Sequence, residues 1–295
     1  MKFAIISLGW TRPEMQQFSL GYLSKCKDAN LVDVYAFIDG KGMAESEAKT
    51  LTDKYKGKFG GGPYLIYRKK NWGLSKHILE AMKSVFNAGY DMVCLLEDDV
   101  LPSRDFIQYQ RYIHKNIDLD GNKVFAVVGY TKKRLPTGNF GKEPEVVRLQ
   151  QWYSPDGVTF RRSIWNKISS FIDDKYYSNP NREVNRLKKK ISKIEPTFVK
   201  RQWVNGKYKH NKQAGFLNAL RAFHGMSCIM PCVSRCQDIG FYGFHQRQKK
   251  NKGELISHVD LWKKSMWYSD CWSKSHDWTD IKLIGKKDKE FIQLS

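Results

Sequence analysis

Three consecutive carboxylates, Glu97-Asp98-Asp99, are the residues of this sequence whose types and spacing most directly predict chemistry. They follow the apolar run Met92 to Leu96, which we interpret as a buried strand of a parallel sheet. The carboxyl end of such a strand faces the crevice where open α/β sheets bind ligands. Clustered carboxylates repel one another unless a cation lies among them, and a hard divalent metal that also holds a diphosphate meets that need. The alternative is a solvated acidic turn, with Ser103 and Asp105 capping the next helix.

The sequence around this triplet predicts the elements that would position it. Residues 65–67 are expected to form a strand and Asn71-Trp72-Gly73 a turn, and the apolar residues from Leu74 to Phe86 recur at helical spacing. Further strands are predicted over residues 2–8, 32–38 and 124–129, and further helices over 14–25, 44–55, 104–114 and 214–223. We interpret Gly60-Gly61-Gly62 as a flexible connection because no Gly-Lys-Ser/Thr follows it.

These motifs together resemble the GT-A nucleotide-sugar glycosyltransferases. The similarity rests on the strand that ends in Glu-Asp-Asp-Val-Leu-Pro-Ser at 97–103 and on the Arg-x-x-Asn-x-Gly-Leu turn at 68–74. It is nearest to the N-acetylglucosaminyltransferase I family, with its Glu-Asp-Asp motif, and to small bacterial family-2-type sugar transferases. The resemblance implies an α/β GT-A fold, which is a Rossmann-like mixed sheet with helices on both faces. It also implies metal-dependent transfer of a sugar from a UDP-sugar to a hydroxyl group.

The resemblance further implies roles for single residues. Asp99 would bind the Mn²⁺ or Mg²⁺ ion that holds the sugar-nucleotide diphosphate, with Glu97 and Asp98 nearer the ribose and the sugar. The other donor-site candidates are Thr11 and Arg12 in the first loop, Asp39 after the second strand, and Arg68 and Asn71 at the mouth of the third. A plain Asp-Gly turn explains Asp39 equally well. A guanidinium at position 68 could pair with phosphate in a forked geometry.

Two downstream segments extend the resemblance. The series of short motifs over 223–245 resembles one in bacterial sugar transferases whose last residue, here His245, completes the metal or diphosphate site, and imidazole suits Mn²⁺. Residues 152–165 resemble the loop, strand and helix that line the acceptor pocket, although the families often have Gly-Trp where this chain has Gly157-Val158.

The group that would take the acceptor's proton stays open in the sequence. In relatives an Asp often serves as this base, and here the matching position is Gln213, whose amide cannot accept a proton. Three explanations remain: the alignment slips, Asp156 or Asp238 serves instead, or the reaction retains the anomeric configuration.

The charge predicts a polyanionic partner. The chain has 51 Lys and Arg against 30 Asp and Glu, a net charge of +21, and such an excess attracts nucleic acid, anionic membrane surfaces or acidic glycans. Much of it lies in residues 182–212, where we predict a basic helix and then a hairpin of strands 197–204 and 207–210 around Asn205-Gly206. The candidate nucleic-acid contacts there are Lys188, Lys189, Lys190, Lys200, Arg201, Trp203 and Lys207. A solvated charged face is the alternative.

These features lead to an expectation about the acceptor. DNA that carries a hydroxymethylated pyrimidine such as 5-hydroxymethylcytosine would suit a basic acceptor side, and the chain would then resemble the phage DNA-modifying transferases, including the TET-associated glycosyltransferase group. A lipid-linked, lipopolysaccharide or capsular glycan at the inner membrane is the rival acceptor. A GT-A core that binds nucleic acid without activity is the rival from another class.

The length, the apolar runs and the cysteines of the sequence predict its domain organisation and its cellular location. We expect a catalytic domain over 1–250, with the basic insertion at about 181–212, and a Trp-rich C-terminal extension over 251–295 packed on the core. No apolar run approaches the roughly 20 residues of a membrane span, which predicts a cytoplasmic protein in a bacterium or a phage-infected cell. Cys228, Cys232 and Cys236 are four residues apart, which on a helix would put them on one face. Pro231 and the apolar, β-prone residues around it make the region strand-like, so we expect buried free thiols and not a zinc site. The oligomeric state is not predicted.

Overall fold

The computed structural model describes residues 1–131, 146–205, 207–209, 212–231, 234–238, 282–284 and 291–293. The strands in these ranges are β1 (Phe3–Gly9), β2 (Asp33–Ile38), β3 (Gly61–Tyr67), β4 (Met92–Leu96), β5 (Val100–Pro102), β6 (Val124–Val128), β7 (Val146–Gln150), β8 (Val158–Arg161), β9 (Trp203–Val204), β10 (Lys207–Tyr208), β11 (Ser227–Pro231), β12 (Cys236–Asp238), β13 (Lys282–Ile284) and β14 (Phe291–Gln293). The helices are α1 (Pro13–Leu23), α2 (Glu45–Asp53), α3 (Leu74–Asn87), α4 (Phe106–Asn116), α5 (Arg162–Ile168), α6 (Asp174–Ser178), α7 (Pro180–Ile194), α8 (Pro196–Gln202) and α9 (Gln213–Phe223).

One mixed sheet organises these elements. Its strand order is β14-β13-β7-β11-β6-β8-β4-β1-β2-β3. Strands β4, β1, β2 and β3 are parallel, and β8 runs antiparallel between β4 and β6. All residues of β1, β4 and β6 are buried, as expected for central strands covered on both faces. The predicted fold class, a mixed α/β sheet with helices on both faces, is confirmed.

Each face of the sheet has its own apolar core. On one face α3, α5, α7 and α9 pack together, and Phe86 of α3 stacks on Trp165 of α5 with ring centroids 5.1 Å apart. On the other face α1, α2 and the start of α4 bury Leu20, Leu51 and Phe106 against β1 and β4. The helical periodicity of the sequence therefore places the apolar side of each helix on the sheet.

The register of the parallel strands brings three loops to one edge. Gly9 at the end of β1 pairs with Ile38 at the end of β2, and Ser7 pairs with Leu96 at the end of β4. The amide of Asp39 donates to the carbonyl of Gly9 at 2.9 Å, which ties the first two loops together. The loops after β1, β2 and β4 therefore leave the sheet side by side.

Two predicted elements are wrong. Gly61 and Gly62 belong to β3 and pair beside β2, so they are not a flexible connection. Residues 197–202 form part of α8 and not a strand, and Pro196 occupies the first turn of that helix, a position where its missing N–H costs nothing. The hairpin itself is confirmed as the two-residue strands β9 and β10, which pair antiparallel around position 205.

Other expectations have simpler outcomes. Within the described part of the chain, no helix is long and apolar enough to span a bilayer. Cys26, Cys94, Cys228 and Cys236 are buried free thiols, whereas Cys232 and Cys271 lie outside the described residues. The tail is described only at β13, which pairs with β7, and at β14, so its packing and the domain boundary at residue 250 remain predictions.

Candidate active site

A cavity of about 770 Å³ lies at the carboxyl ends of β1, β2, β3 and β4. It brings together most of the residues that the sequence nominated for donor binding, namely Thr11, Arg12, Asp39, Asn71, Glu97, Asp98 and Asp99. Pockets of roughly 300 to 1,000 Å³ are typical of small-molecule and cofactor sites. The position agrees with the rule that open parallel sheets bind ligands beyond the carboxyl ends of their strands.

Arg12 is the counter-ion of the carboxylate triplet. Its Nε donates to Asp98 Oδ2 at 3.0 Å, its Nη2 donates to Asp98 Oδ1, and Nη2 also donates to Asp99 Oδ2 at 2.9 Å. Burial lowers the pKa of Arg12, but Asp98 and Asp99 raise it by more, so the net direction is upward and the guanidinium stays charged. The sequence predicted Arg12 only as a contact to nucleobase and phosphate, whereas the structure shows that it also pairs with the carboxylates of the triplet.

The triplet still carries more negative charge than Arg12 neutralises. Burial raises the pKa of Asp98 to about 7, and repulsion from Asp99 adds to this effect against the opposing influence of Arg12. Burial also raises the pKa of Glu97 well above its usual range, with further contributions from Asp99 and Asp156. A site with this excess charge favours an additional cation or protons.

Asp39 shapes the second wall of the cavity. Its buried carboxylate accepts hydrogen bonds from the amides of Gly40 at 3.0 Å, Trp72 at 2.8 Å and Gly73 at 3.0 Å. It thereby fixes the turn at 71–73, which begins α3. Asp39 therefore forms a turn and also lines the cavity, and its contact with a donor nucleotide stays a prediction.

Arg68 does not line the cavity itself but supports a residue that does. Its guanidinium lies 3.6 Å from the ring centroid of Trp72, and its Nε donates to His77 Nδ1 at 3.2 Å. His77 Nε2 lies 3.2 Å from the carbonyl of Phe37, and burial lowers the imidazole pKa to about 4, so the ring is neutral and donates there. Arg68 therefore orients the Trp72 ring, which is 39% exposed.

Sequence reasoning missed several residues that also line the cavity. The cavity is also lined by Trp10, Trp72, Tyr176, Tyr177, Pro180 and Lys212. Tyr176 and Tyr177 belong to α6, whose approach to the turn at 71–73 is a tertiary contact. The segment 152–212 is rich in aromatic and basic residues, but nothing in their spacing assigned Tyr176, Tyr177, Pro180 or Lys212 to the cavity.

The candidate bases fall into different places. Gln213 is buried at the start of α9, its amide N–H donates to Ser75 Oγ at 3.1 Å, and it does not line the cavity. Asp156 accepts from Ser154 Oγ at 2.7 Å and lies close enough to Glu97 to raise its pKa. Asp238 ends β12, which pairs with β5 directly after the triplet, although only its backbone is described. His245 lies outside the described residues.

The basic segment is a folded helical unit. Val184, Leu187 and Ile191 of α7 point into the core, while most basic residues of α7, α8 and the hairpin are exposed. Those that are exposed include Lys189, Lys200, Arg201 and Lys207 from the predicted nucleic-acid set.

Three members of the predicted nucleic-acid set have side chains that contact other residues of the protein. Trp203 is 7% exposed and donates through Nε1 to Asn185 Oδ1 at 2.7 Å, so the prediction that it contacts nucleic acid is wrong. Lys188 is half-buried with its Nζ 5.8 Å from the Trp203 ring centroid. Lys190 places its Nζ 4.0 Å from the centroid of Phe223. Trp203 is therefore buried, whereas Lys188 and the exposed Lys190 rest on aromatic rings of the hairpin and of α9.

One side chain of the cavity, Asp99, is suited to bind a divalent cation. Among the described residues no three His, Cys, Asp or Glu side chains form a closed metal site, and Asp98 is held by Arg12. Asp99 also accepts from Arg12, but only through Oδ2, and its side chain is 19% exposed and lines the cavity, so its other carboxylate oxygen could act as a ligand. Mg²⁺ and similar ions are often held by one or two carboxylates plus substrate phosphates. A metal here would depend on the bound substrate for its other ligands.

Similarity to solved structures is low and partial. The chain is similar to TarS from S. aureus (16% identity over 57% of this chain and 49% of that one, TM-score 0.41). It is also similar to the mannosyltransferase PcManGT from Pyrobaculum calidifontis, solved with GDP-Man and Mn²⁺ (12% identity over 57% of this chain and 46% of that one, TM-score 0.43). A third similar structure is that of mouse xyloside xylosyltransferase 1 (7% identity over 77% of this chain and 84% of that one, TM-score 0.44). The chain spans about half the length of the first two. No family model and no curated protein matches the sequence.

Proposed function

We propose that this protein is a glycosyltransferase that moves a sugar from a UDP-sugar to a hydroxyl acceptor with the help of Mn²⁺ or Mg²⁺. The observation that carries the proposal is the convergence of Arg12, Asp39 and the triplet 97–99 on one cavity at the carboxyl ends of the parallel strands. A mixed Rossmann-like sheet with an acidic cluster at this edge is suited to a nucleoside diphosphate whose charge is offset by a cation.

Each group has a stated task in this proposal. Asp99 would hold the metal, which offsets charge on the leaving diphosphate when it is bound. Arg12 keeps Asp98 and Asp99 from repelling each other before the substrate arrives and faces the same cavity. Asp156 or Asp238 would take the acceptor's proton, and His245 is the proposed second metal ligand. Gln213 has no part in proton transfer, because its side chain is an amide, is buried and does not line the cavity.

For the acceptor we propose a 5-hydroxymethylpyrimidine in DNA, as in phage genomes that carry this modification. The support is the exposed basic surface of α7, α8 and the hairpin, which we call the basic face and define by Arg182, Arg186, Lys189, Lys193, Lys200, Arg201, Lys207 and Lys209. It adjoins the cavity, because Pro180 at the start of α7 lines the cavity wall. A lipid-linked glycan at an anionic membrane is the second candidate, since the same charge would bind anionic headgroups.

The first experiment tests the reaction. Wild-type protein, Mn²⁺ and a panel of UDP-sugars are incubated with duplex DNA that contains 5-hydroxymethylcytosine, and the nucleosides are analysed by mass spectrometry. A hexose or N-acetylhexosamine mass shift is the expected result. UDP release without a shift would support the transferase and redirect the acceptor to lipid-linked glycans. Neither UDP release nor a mass shift with any donor would contradict the proposed activity.

The second experiment tests the metal assignment. Asp99→Asn should lose Mn²⁺-dependent UDP binding in calorimetry, while Asp53→Asn on the exposed side of α2 serves as the matched control. Unchanged UDP affinity of Asp99→Asn in the presence of Mn²⁺ would remove Asp99 from the site.

The third experiment tests the basic face without disturbing the core. Lys189→Gln, Lys200→Gln and Arg201→Gln change exposed side chains, whereas reversal of Lys188 and Lys190 would also perturb their packing on aromatic rings. The triple variant should lose retention on DNA and show a smaller salt dependence at an unchanged melting temperature. Full retention of DNA binding would show that the basic face is only a solvated surface.

A further inference from the structure

Helices α3 and α9 begin at the same point of the cavity wall. The amide of Gln213, the first residue of α9, donates to Oγ of Ser75 in the first turn of α3 at 3.1 Å. Neither N-cap residue, Gly73 or Lys212, supplies a side-chain hydrogen bond to its helix. Ser75, Lys76 and Lys212 all line the cavity. Two helix N-termini therefore converge on one place.

The charged side chains at this junction are positive, whereas a helix N-terminus is stabilised by negative charge. A helix N-terminus carries partial positive charge and usually has acidic residues in its first turn, but neither α3 nor α9 has an acidic residue there. Instead Lys76 stands in the first turn of α3 and Lys212 at the N-cap of α9. Among the described residues neither lysine forms an ion pair with a carboxylate, and Lys76 lies between the rings of Trp72 and Tyr177, at 5.4 Å and 5.2 Å.

A buried hydroxyl at the same wall points independently to a ligand. Tyr176 lines the cavity and is fully buried, and within the described part of the chain its hydroxyl group has no partner that satisfies hydrogen-bond geometry. Burial raises the pKa of Tyr176, and the Ser75 hydroxyl lowers it as a hydrogen-bond donor to the phenol oxygen would, so it is the O–H donor of Tyr176 that has no acceptor among the described residues. Buried hydroxyls without partners are rare in folded proteins because their desolvation is not compensated. An anionic oxygen placed at the junction would be a suitable acceptor for it.

We infer that the α3–α9 junction, built by Ser75, Lys76, Tyr176 and Lys212, is a binding site for a phosphate group of the acceptor, distinct from the carboxylate triplet. This inference rests on the proposed function and adds to it the part of the cavity that would hold the acceptor. Helix N-termini with adjacent lysines bind phosphate through backbone amides and charge together. The site is continuous with the basic face, since α7 begins at the cavity and Lys212 follows the hairpin, so a phosphodiester of a nucleic-acid strand is the phosphate that fits.

The test uses a short strand, so that the basic face contributes little. The probes are a single-stranded tetranucleotide and the same tetranucleotide with uncharged methylphosphonate linkages, titrated into the full chain by calorimetry. Lys76→Gln and Lys212→Gln should each weaken binding of the charged strand about tenfold and reduce the salt dependence by about one phosphate contact. Their affinity for the uncharged strand should equal that of wild type. Lys49→Gln, which removes an equal charge from the exposed side of α2, is the matched control.

Several results would overturn the inference. If Lys49→Gln weakens binding as much as the junction variants, the effect belongs to net charge and not to a site. If the variants weaken Mn²⁺-dependent UDP binding instead of strand binding, the junction holds the donor diphosphate. If only binding to vesicles of anionic phospholipid falls, the partner is a membrane. Failure of the proposed function would show differently, as absence of UDP binding by the wild-type protein.

Discussion

The strongest test of the charge arrangement at the triplet is the substitution Asp98→Asn in metal-free buffer. Asp98 is 6% exposed, and burial together with Asp99 raises its pKa from 3.8 to about 7 even though Arg12 opposes the shift. A carboxyl whose folded pKa is raised binds a proton in the folded state that the unfolded chain has already lost. Stability therefore falls as the pH rises from about 4 to about 7 and is constant above that.

The magnitude follows from the pKa. One unit of pKa shift corresponds to about 1.4 kcal/mol, and integration over the interval from pH 5 to pH 8 for a group with a folded pKa of about 7 gives a loss of roughly 2 to 3 kcal/mol. The asparagine is close to isosteric and carries no charge, so it removes this contribution. Glu97 remains, and its own raised pKa keeps part of the pH dependence in both proteins.

The assay is denaturant unfolding of both proteins in EDTA at pH 5 and pH 8. The free energy of unfolding of wild type should fall by roughly 2 to 3 kcal/mol more than that of Asp98→Asn across this interval. Asp53→Asn, at an exposed position of α2, should behave as wild type. Equal pH dependence of wild type and Asp98→Asn, or a wild type that gains stability towards pH 8 relative to the variant, would refute the reasoning.

Three further predictions concern the framework of the cavity. Trp203→Ala should lower the free energy of unfolding by about 3 to 5 kcal/mol, because the ring is buried against Phe198 and Tyr208; a stable variant with selectively weakened DNA binding would contradict this. Burial lowers the pKa of His77 to about 4, so the wild-type protein should lose up to about 3 kcal/mol of unfolding free energy as the pH falls from 6.5 to 4. His77→Gln should lose less over the same interval, as measured by urea titrations at both pH values. Gly42→Ala would place a Cβ 2.1 Å from the carbonyl oxygen of Trp10, so it should cost about 1 to 3 kcal/mol and reduce UDP affinity in calorimetry; unchanged affinity would show that the Trp10 loop does not bind the donor.

The acidic edge of the cavity was predictable from the sequence for a physical reason. Strand β4 is an uninterrupted apolar run that ends in charged residues, so its end and the side chains that follow it were evident from a local pattern. The same holds for Arg12 and Asp39, which follow β1 and β2. Parallel strands align their carboxyl ends, so the convergence of these loops required only the fold class.

The partners of these residues were not predictable from the sequence. The pairing of Arg12 with Asp98 and Asp99 spans more than 80 positions of the chain, and no local pattern encodes it. The choice between a helix and a strand at 197–202 depended on packing of Phe198 into the core, which outweighs β propensity. Burial of Trp203 likewise depended on Asn185, and this contact turned a candidate stacking residue into a structural one.

The sequence by itself determined the strands, most of the helices, the acidic edge of the sheet and the excess of positive charge, because these depend on residue type and on periodicity along the chain. Only the tertiary structure decided which side chains neutralise one another and which remain available to a ligand. Lys76 and Lys212 are 136 positions apart and become neighbours of one cavity only because α9 packs against α3. Long-range packing, which no local pattern carries, thus brought these two lysines to the cavity that the carboxylates line.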